Sequence, residues 1–135
     1  MQVTSSYGAE IKKQNLPVRH TLRIYRAAVE YLIRVYAECG DKLQQIDSAQ
    51  KRFNAAEHLV HGTKKNRAVY EFDLQFPKMP SYLRRSAIQH ALGSAASYET
   101  RLSLWKSGKL TGKPKLVCEN HAMPVFYRDV MYREA

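Results

Sequence analysis

Apolar residues recur at steps of three and four in three stretches of this chain, and at steps of two in others. Leu22, Tyr25, Val29, Leu32 and Tyr36 trace one face of a helix predicted over Val18 to Glu38, with Cys39-Gly40 as its stop. A second helix is predicted from Leu43 to Val60, burying Ile46, Ala49, Phe53, Ala56 and Val60 and ending at His61-Gly62. A third should run from Ser81 to Trp105 or Ser107, with Ser81 as its cap after Pro77 and Pro80. Its buried face would be Ile88, Ala91, Ala95, Tyr98, Leu102 and Trp105, which makes Trp105 a buried aromatic anchor. Period two appears at Val3, Ser5, Tyr7, Ala9 and Ile11, a half-buried strand, and again at Tyr70, Phe72, Leu74 and Phe76. The second of these reads either as a short strand limited by Pro77 and Pro80 or as a connector whose aromatics dock on the helices. From His121 to Ala135, strand and short helix fit equally, and the chain ends after an aromatic cluster with no capping signal, as an interrupted chain would.

The middle of the third helix is made of small residues: Ala91, Gly93, Ser94, Ala95, Ala96 and Ser97. Gly costs about 1 kcal/mol inside a helix, so something is expected to approach this backbone closely. The first helix is the expected neighbour, and a nucleic-acid backbone lying on the smooth helix is the alternative.

At 135 residues the chain has room for one core. Its formal net charge of +10 points to nucleic acid first and an anionic membrane surface second. No segment approaches the roughly 18 consecutive apolar residues of a membrane span. The N-terminus MQVTSSYGAEIKK lacks a basic start followed by an apolar run, so a cytoplasmic protein without a secretion signal is expected. Between Leu74 and Cys118 lie Lys78, Arg84, Arg85, Arg101, Lys106, Lys109, Lys113 and Lys115 against Glu99 alone, which gives that segment +7. The loop from Lys106 to Lys115 combines glycines that expose backbone amides with lysines that meet phosphates, but it lacks the spacing of a nucleotide-binding P-loop. On the first helix, Arg19, Arg23, Arg26 and Arg34 form another stripe, interrupted by Glu30. Such a stripe is either a solvated face or a row of guanidinium groups along a phosphate backbone.

Candidate chemistry is sparse. Cys39 and Cys118 lie far apart and make no CxxC pair, which suits two ordinary thiols in a reduced compartment. His58, His61, Cys118 and His121 would supply four zinc ligands, but histidines three apart are common on helices and no second pair follows a recognised zinc-site pattern. Asp41, Asp47, Asp73 and Asp129 are scattered and provide no paired carboxylates for a two-metal centre. The expectation is therefore no catalytic residue, no metal and no cofactor in this chain. The candidate nucleic-acid-binding set is Arg19, Arg23, Arg26, Arg84, Arg85, Arg101, Lys106, Lys109, Lys113 and Lys115.

The wording FPKMPSYLRRSAI, then Ser97-Tyr98, Leu104-Trp105 and GKPKL, resembles the N-terminal region of TnpB-like (OrfB) proteins of bacterial insertion sequences. That family is long described as transposases and is also known as RNA-guided DNA nucleases related to type V CRISPR effectors. The likeness is strongest from Phe76 to Pro114 and weak from Asp41 to Arg67. It implies an α+β fold, mainly helical: a three-helix recognition bundle flanked by a few strands of a split β-barrel, the wedge. Residues 1–16 would be the first wedge strand, 17–110 the helical recognition domain, and 111–135 the basic loop and an incomplete return into the wedge. The partners implied are guide RNA, target DNA and the remainder of a parent nuclease, gripped through backbone and shape with sequence left to base pairing. The other readings are a free-standing basic DNA-binding regulator and a helical protein-interaction module. The link from His61 to Pro80 is too long for the turn of a helix-turn-helix.

Overall fold

The computed structural model describes residues 16–62, 68–77 and 79–116, with side chains from Arg19 onward. These residues form four helices: α1 (Leu16–Glu38), α2 (Ala49–Val60), a single turn α3 (Phe72–Gln75) and α4 (Ser81–Lys106). The principal packing is α1 against α4, with α2 laid on α4 as the third member. Among the described residues there is no strand, so the expected α+β fold with flanking strands of a split barrel gives way to an all-helical one. The strand expected at residues 1–16 and the return expected within 111–135 fall almost wholly outside the described residues.

The stretch from Tyr70 to Phe76 shows why a period of two misleads. Phe72 and Phe76, one helical turn apart, meet at a ring-centroid distance of 4.9 Å, and Tyr31 of α1 lies 5.9 and 6.0 Å from them. Phe72 is fully buried, whereas Leu74, which the alternation would place beside it, is 74% exposed. No neighbouring strand is present among the described residues to accept a ladder, so the segment satisfies its backbone locally. The Phe76 amide donates to the Phe72 carbonyl at 2.9 Å, and the Tyr70 amide to the Leu59 carbonyl at the end of α2. The connector reading, with aromatics docked on helices, describes this segment.

Helix limits follow from end chemistry. Gly40, at φ 66°, closes α1 in the left-handed region, which a residue with a Cβ adopts only with strain. The helix expected from Leu43 starts at Ala49, because the Ser48 side chain accepts from the Lys51 amide and fixes the N-terminus there. Arg52 then reaches back, donating to the carbonyls of Leu43 and Ile46 at 3.0 and 2.8 Å, and ties the α1–α2 turn to α2. Ala49 is consequently exposed rather than buried. At α4 the cap position belongs to Pro80, not to Ser81: the Pro80 carbonyl accepts from the Arg84 amide, and no side chain caps the helix.

The order of contacts gives the topology. As the chain advances from Tyr70, beside Cys39, through Phe72 and Phe76, against Tyr31, to Ser86, bonded to Tyr25, it descends α1 from its C-terminal end. Within α4 itself, Ser86 meets Tyr25 in the N-terminal half of α1, and Gly93 and Ala96 border a concavity with Gln44, in the turn that follows α1. The core holds Tyr25, Val29, Leu32, Ile33 and Tyr36 from α1, Ala56 and Val60 from α2, Phe72, and Leu83, Ala87, Ile88, Ala91 and Ala95 from α4. The small-residue run of α4 divides. Ala87, Ala91 and Ala95 are buried, as close packing on α1 requires, while Gly93 points outward with nothing within 4 Å of a Cβ built on it.

Two tyrosines carry their hydroxyls into this core. Tyr36 donates to the Ala56 carbonyl at 3.1 Å, and the Tyr25 hydroxyl lies 3.0 Å from Ser86 Oγ. Burial raises the Tyr36 pKa far above the usual phenol range, with repulsion from Cys39 and Glu57 adding to it. Burial raises that of Tyr25 as well, partly offset by the Ser86 bond.

Two outcomes follow. Replacing Gly93 by Ala fills open space on a helix and should stabilise the protein by about 0.5–1 kcal/mol, a rise of a few degrees in a thermal melt. Because both phenols are held neutral in the folded state, stability should be level up to about pH 10 and fall above it, as the unfolded chain gains by ionising them and the folded chain cannot. Denaturant titrations between pH 8 and 11 measure that fall.

Candidate nucleic-acid interface

The basic residues separate into two groups. At one end of α4, Glu57 of α2 draws Arg84 and Arg85 together, with each guanidinium 3.5 Å from the same carboxylate oxygen. The Arg84 side chain is 12% exposed and Glu57 19%, so this pair joins α2 to α4; only Arg85, at 62%, also presents itself to solvent. Removing one partner of such an enclosed pair leaves the other charge uncompensated, which gives Arg84 a structural task. Arg85 borders a concavity of about 570 Å³ between α2 and α4, together with Arg52, Phe53, Gln89, Gly93 and Ala96. The outward Gly93 opens onto this space.

The second group lies at the opposite end of α4. Lys106, Lys109, Lys113 and Lys115 are all exposed, and Arg101 is half-buried. On α1, Arg19 and Arg23 are exposed and Arg26 is partly so. The bond between Tyr25 and Ser86 sets Arg23 and Arg26 level with Arg84 and Arg85 in the first turns of α4, and Arg101 and the loop lysines stand at its far end. Arg34, further along α1, is paired with Glu30 at 3.1 Å on an exposed face, the ordinary helix pairing of residues four apart.

How α4 ends decides how the lysines are displayed. The Gly108 amide donates to the Trp105 carbonyl at 3.0 Å and the Lys109 amide to the Leu104 carbonyl at 2.9 Å, the paired bonds of a Schellman motif. Ser107 adds a side-chain bond to the Leu104 carbonyl. Gly108, at φ 82°, occupies the left-handed position that this closure needs. The chain leaves the helix at a fixed angle and folds back far enough to set Lys113 Nζ 5.7 Å from the centre of the Trp105 ring.

Trp105 is where the expectation of burial fails. It is only half-buried and belongs neither to the core nor to the apolar residues packed against it, and the same holds for Tyr98 and Leu102. The heptad-like spacing continues to Trp105, but the buried face of α4 stops at Ala95, because the described core has no residue against the last turns. Periodicity reports a face, and only a partner makes it an interior.

Of the four zinc candidates, Cys118 and His121 lie outside the described residues. His58 is exposed, and His61 Nδ1 lies 2.9 Å from Asp73, a contact that ties the end of α2 to α3. No cluster of three or more His, Cys, Asp or Glu side chains suited to a metal occurs among the described residues. No helix among them is long and apolar enough to cross a membrane.

The molecule defined by these features is a small helical protein with a basic end built on a glycine-closed helix terminus. It belongs to the Aq_aa04 family, whose model matches residues 5–135. No curated protein and no solved structure matches the chain.

The turn at Gly108 is open to test. An alanine there must hold a positive φ at a cost of about 1 kcal/mol, so Gly108→Ala should make the Lys109 amide exchange with solvent about fivefold faster while the core amides of α1 keep their protection.

Proposed function

We propose that this chain is a nucleic-acid-binding module that grips its ligand through the phosphate backbone. The observation that carries the reading is the cluster of exposed lysines at 106, 109, 113 and 115 around the glycine-closed end of α4, in a segment whose acidic content is Glu99 alone. Phosphate contacts of this kind need positive charge on a defined surface and no particular side-chain pairing with bases. Arg101 extends that surface, Arg19, Arg23, Arg26 and Arg85 offer separate contacts, and Arg84 is committed to Glu57.

The likeness to TnpB-like proteins gives the proposal a particular form, with guide RNA and target DNA as ligands and a cleaving domain in the remainder of a parent nuclease. That form rests on the wording of residues 76 to 114 and places the module in the cytoplasm as a non-catalytic, cofactor-free part. A second reading, a helical protein-interaction module, has one observation in its favour. Val69 and Leu74, on the connector before α4, are 72% and 74% exposed, which is high for large apolar side chains.

Salt separates the two. If about five phosphates are neutralised, the logarithm of affinity should fall with the logarithm of salt concentration at a slope of about −3.5 for single strands and −4.5 for duplex. Fluorescence anisotropy with labelled oligonucleotides measures it, and an affinity unchanged between low and moderate salt would count against phosphate binding.

A further inference from the structure

We propose that Trp105 is a base-stacking platform, so that the basic end of the molecule takes a single strand of nucleic acid in preference to a duplex. The inference rests on the nucleic-acid reading above and deepens it. Trp105 is a large aromatic side chain left only partly buried, outside the core, in the middle of a lysine cluster. One face of its ring can accept a ligand, because Lys113 already lies over it at 5.7 Å. That contact draws on the ring's negative face and is weak at an exposed site.

A nucleotide satisfies both partners better than they satisfy each other. Its base is a flat, apolar surface suited to the indole, and its phosphate is an anion suited to the displaced ammonium. The lysine would turn from ring to phosphate, so no charge is left uncompensated. Arg101 stands one helical turn before Trp105, and its Nε is enclosed without a hydrogen-bond partner in the structure. Together with Lys106 and Lys109 it gives a strand passing over the indole basic groups on its path. A duplex offers these lysines its phosphates but keeps its base faces stacked within itself, so Trp105 adds nothing to duplex binding. Deoxyribose and ribose strands share the chemistry, and the choice between them depends on contacts to the 2′-hydroxyl.

The chain has a single tryptophan, so its intrinsic emission reports this ring alone. The experiment titrates the full chain with oligo(dT), with oligo(U) and with a blunt hairpin duplex, following anisotropy of the labelled strand and tryptophan emission together. The expected result is quenching by one or both single strands and little change with the duplex. Trp105→Ala should weaken single-strand binding about 5- to 100-fold and leave duplex binding within twofold, while Trp105→Phe retains most of the single-strand affinity. Circular dichroism confirms that each variant keeps its helices, and Lys113→Ala, which leaves the ring in place, should still show quenching. Binding of all three ligands by anisotropy with unchanged tryptophan emission overturns the platform and leaves the phosphate-binding proposal standing. Absence of binding at low salt overturns both.

Discussion

The close approach of α4 to α1 is the constraint on which the rest depends. Two helices pack tightly where one of them offers short side chains, and α4 does so with Ala87, Ala91 and Ala95, each buried, alongside Leu83 and Ile88. Against them α1 commits Tyr25, Val29, Leu32, Ile33 and Tyr36, long side chains that fill the space the alanines leave. The tyrosines are buried with their hydroxyls engaged, one to Ser86 and one to the Ala56 carbonyl, so the apolar contact and the polar closure come from the same residues. An unsatisfied hydroxyl at either place would cost more than its bond contributes.

Around that pair the remaining elements act as fasteners. The turn after α1 is held by Arg52 through two backbone carbonyls, and α2 is held to α4 by Glu57 between Arg84 and Arg85. The connector enters through the stacked rings of Phe72, Phe76 and Tyr31. A consequence for function is that basic side chains of the same type have different duties. Arg52 and Arg84 serve the fold, and Lys106, Lys109, Lys113 and Lys115 stand exposed to solvent. Net charge alone does not make that division, because it counts a guanidinium bonded to two carbonyls and a lysine in open solvent equally.

The functional reading draws its strength from the same separation. The end of α4 is rigid in its hydrogen bonding up to Lys109, yet nothing in the described core covers it. A helix terminus closed by glycine, followed by exposed lysines around a half-buried tryptophan, is a surface with defined shape and one sign of charge. Such surfaces gain affinity from counterion release and selectivity from whatever flat groups they can stack, and these contributions respond differently to salt and to side-chain truncation.

The sequence by itself determined the existence of the three long helices and the face that α1 buries: Leu22, Tyr25, Val29, Leu32 and Tyr36 are all buried, as their spacing requires. It also carried the basic segment and the glycine at the end of α1. What it could not carry were outcomes set by neighbours distant in the chain. The alternation at Tyr70 to Phe76 matched a strand, but a strand needs a partner, and Tyr31 instead selected two rings one helical turn apart. The face of α4 ran on to Trp105 in the sequence, while burial stopped at Ala95, where the described core ends. The small-residue run marked a close approach, but only the packing decided that Ala91 and Ala95 meet it and Gly93 does not. Likewise Arg84 and Lys106 are both basic residues of one helix, and a glutamate on α2 made one structural and left the other exposed. Periodicity is a property of local backbone geometry, so it is legible in a single chain. Burial and ion pairing are properties of pairs of surfaces, and they exist only once the helices have met.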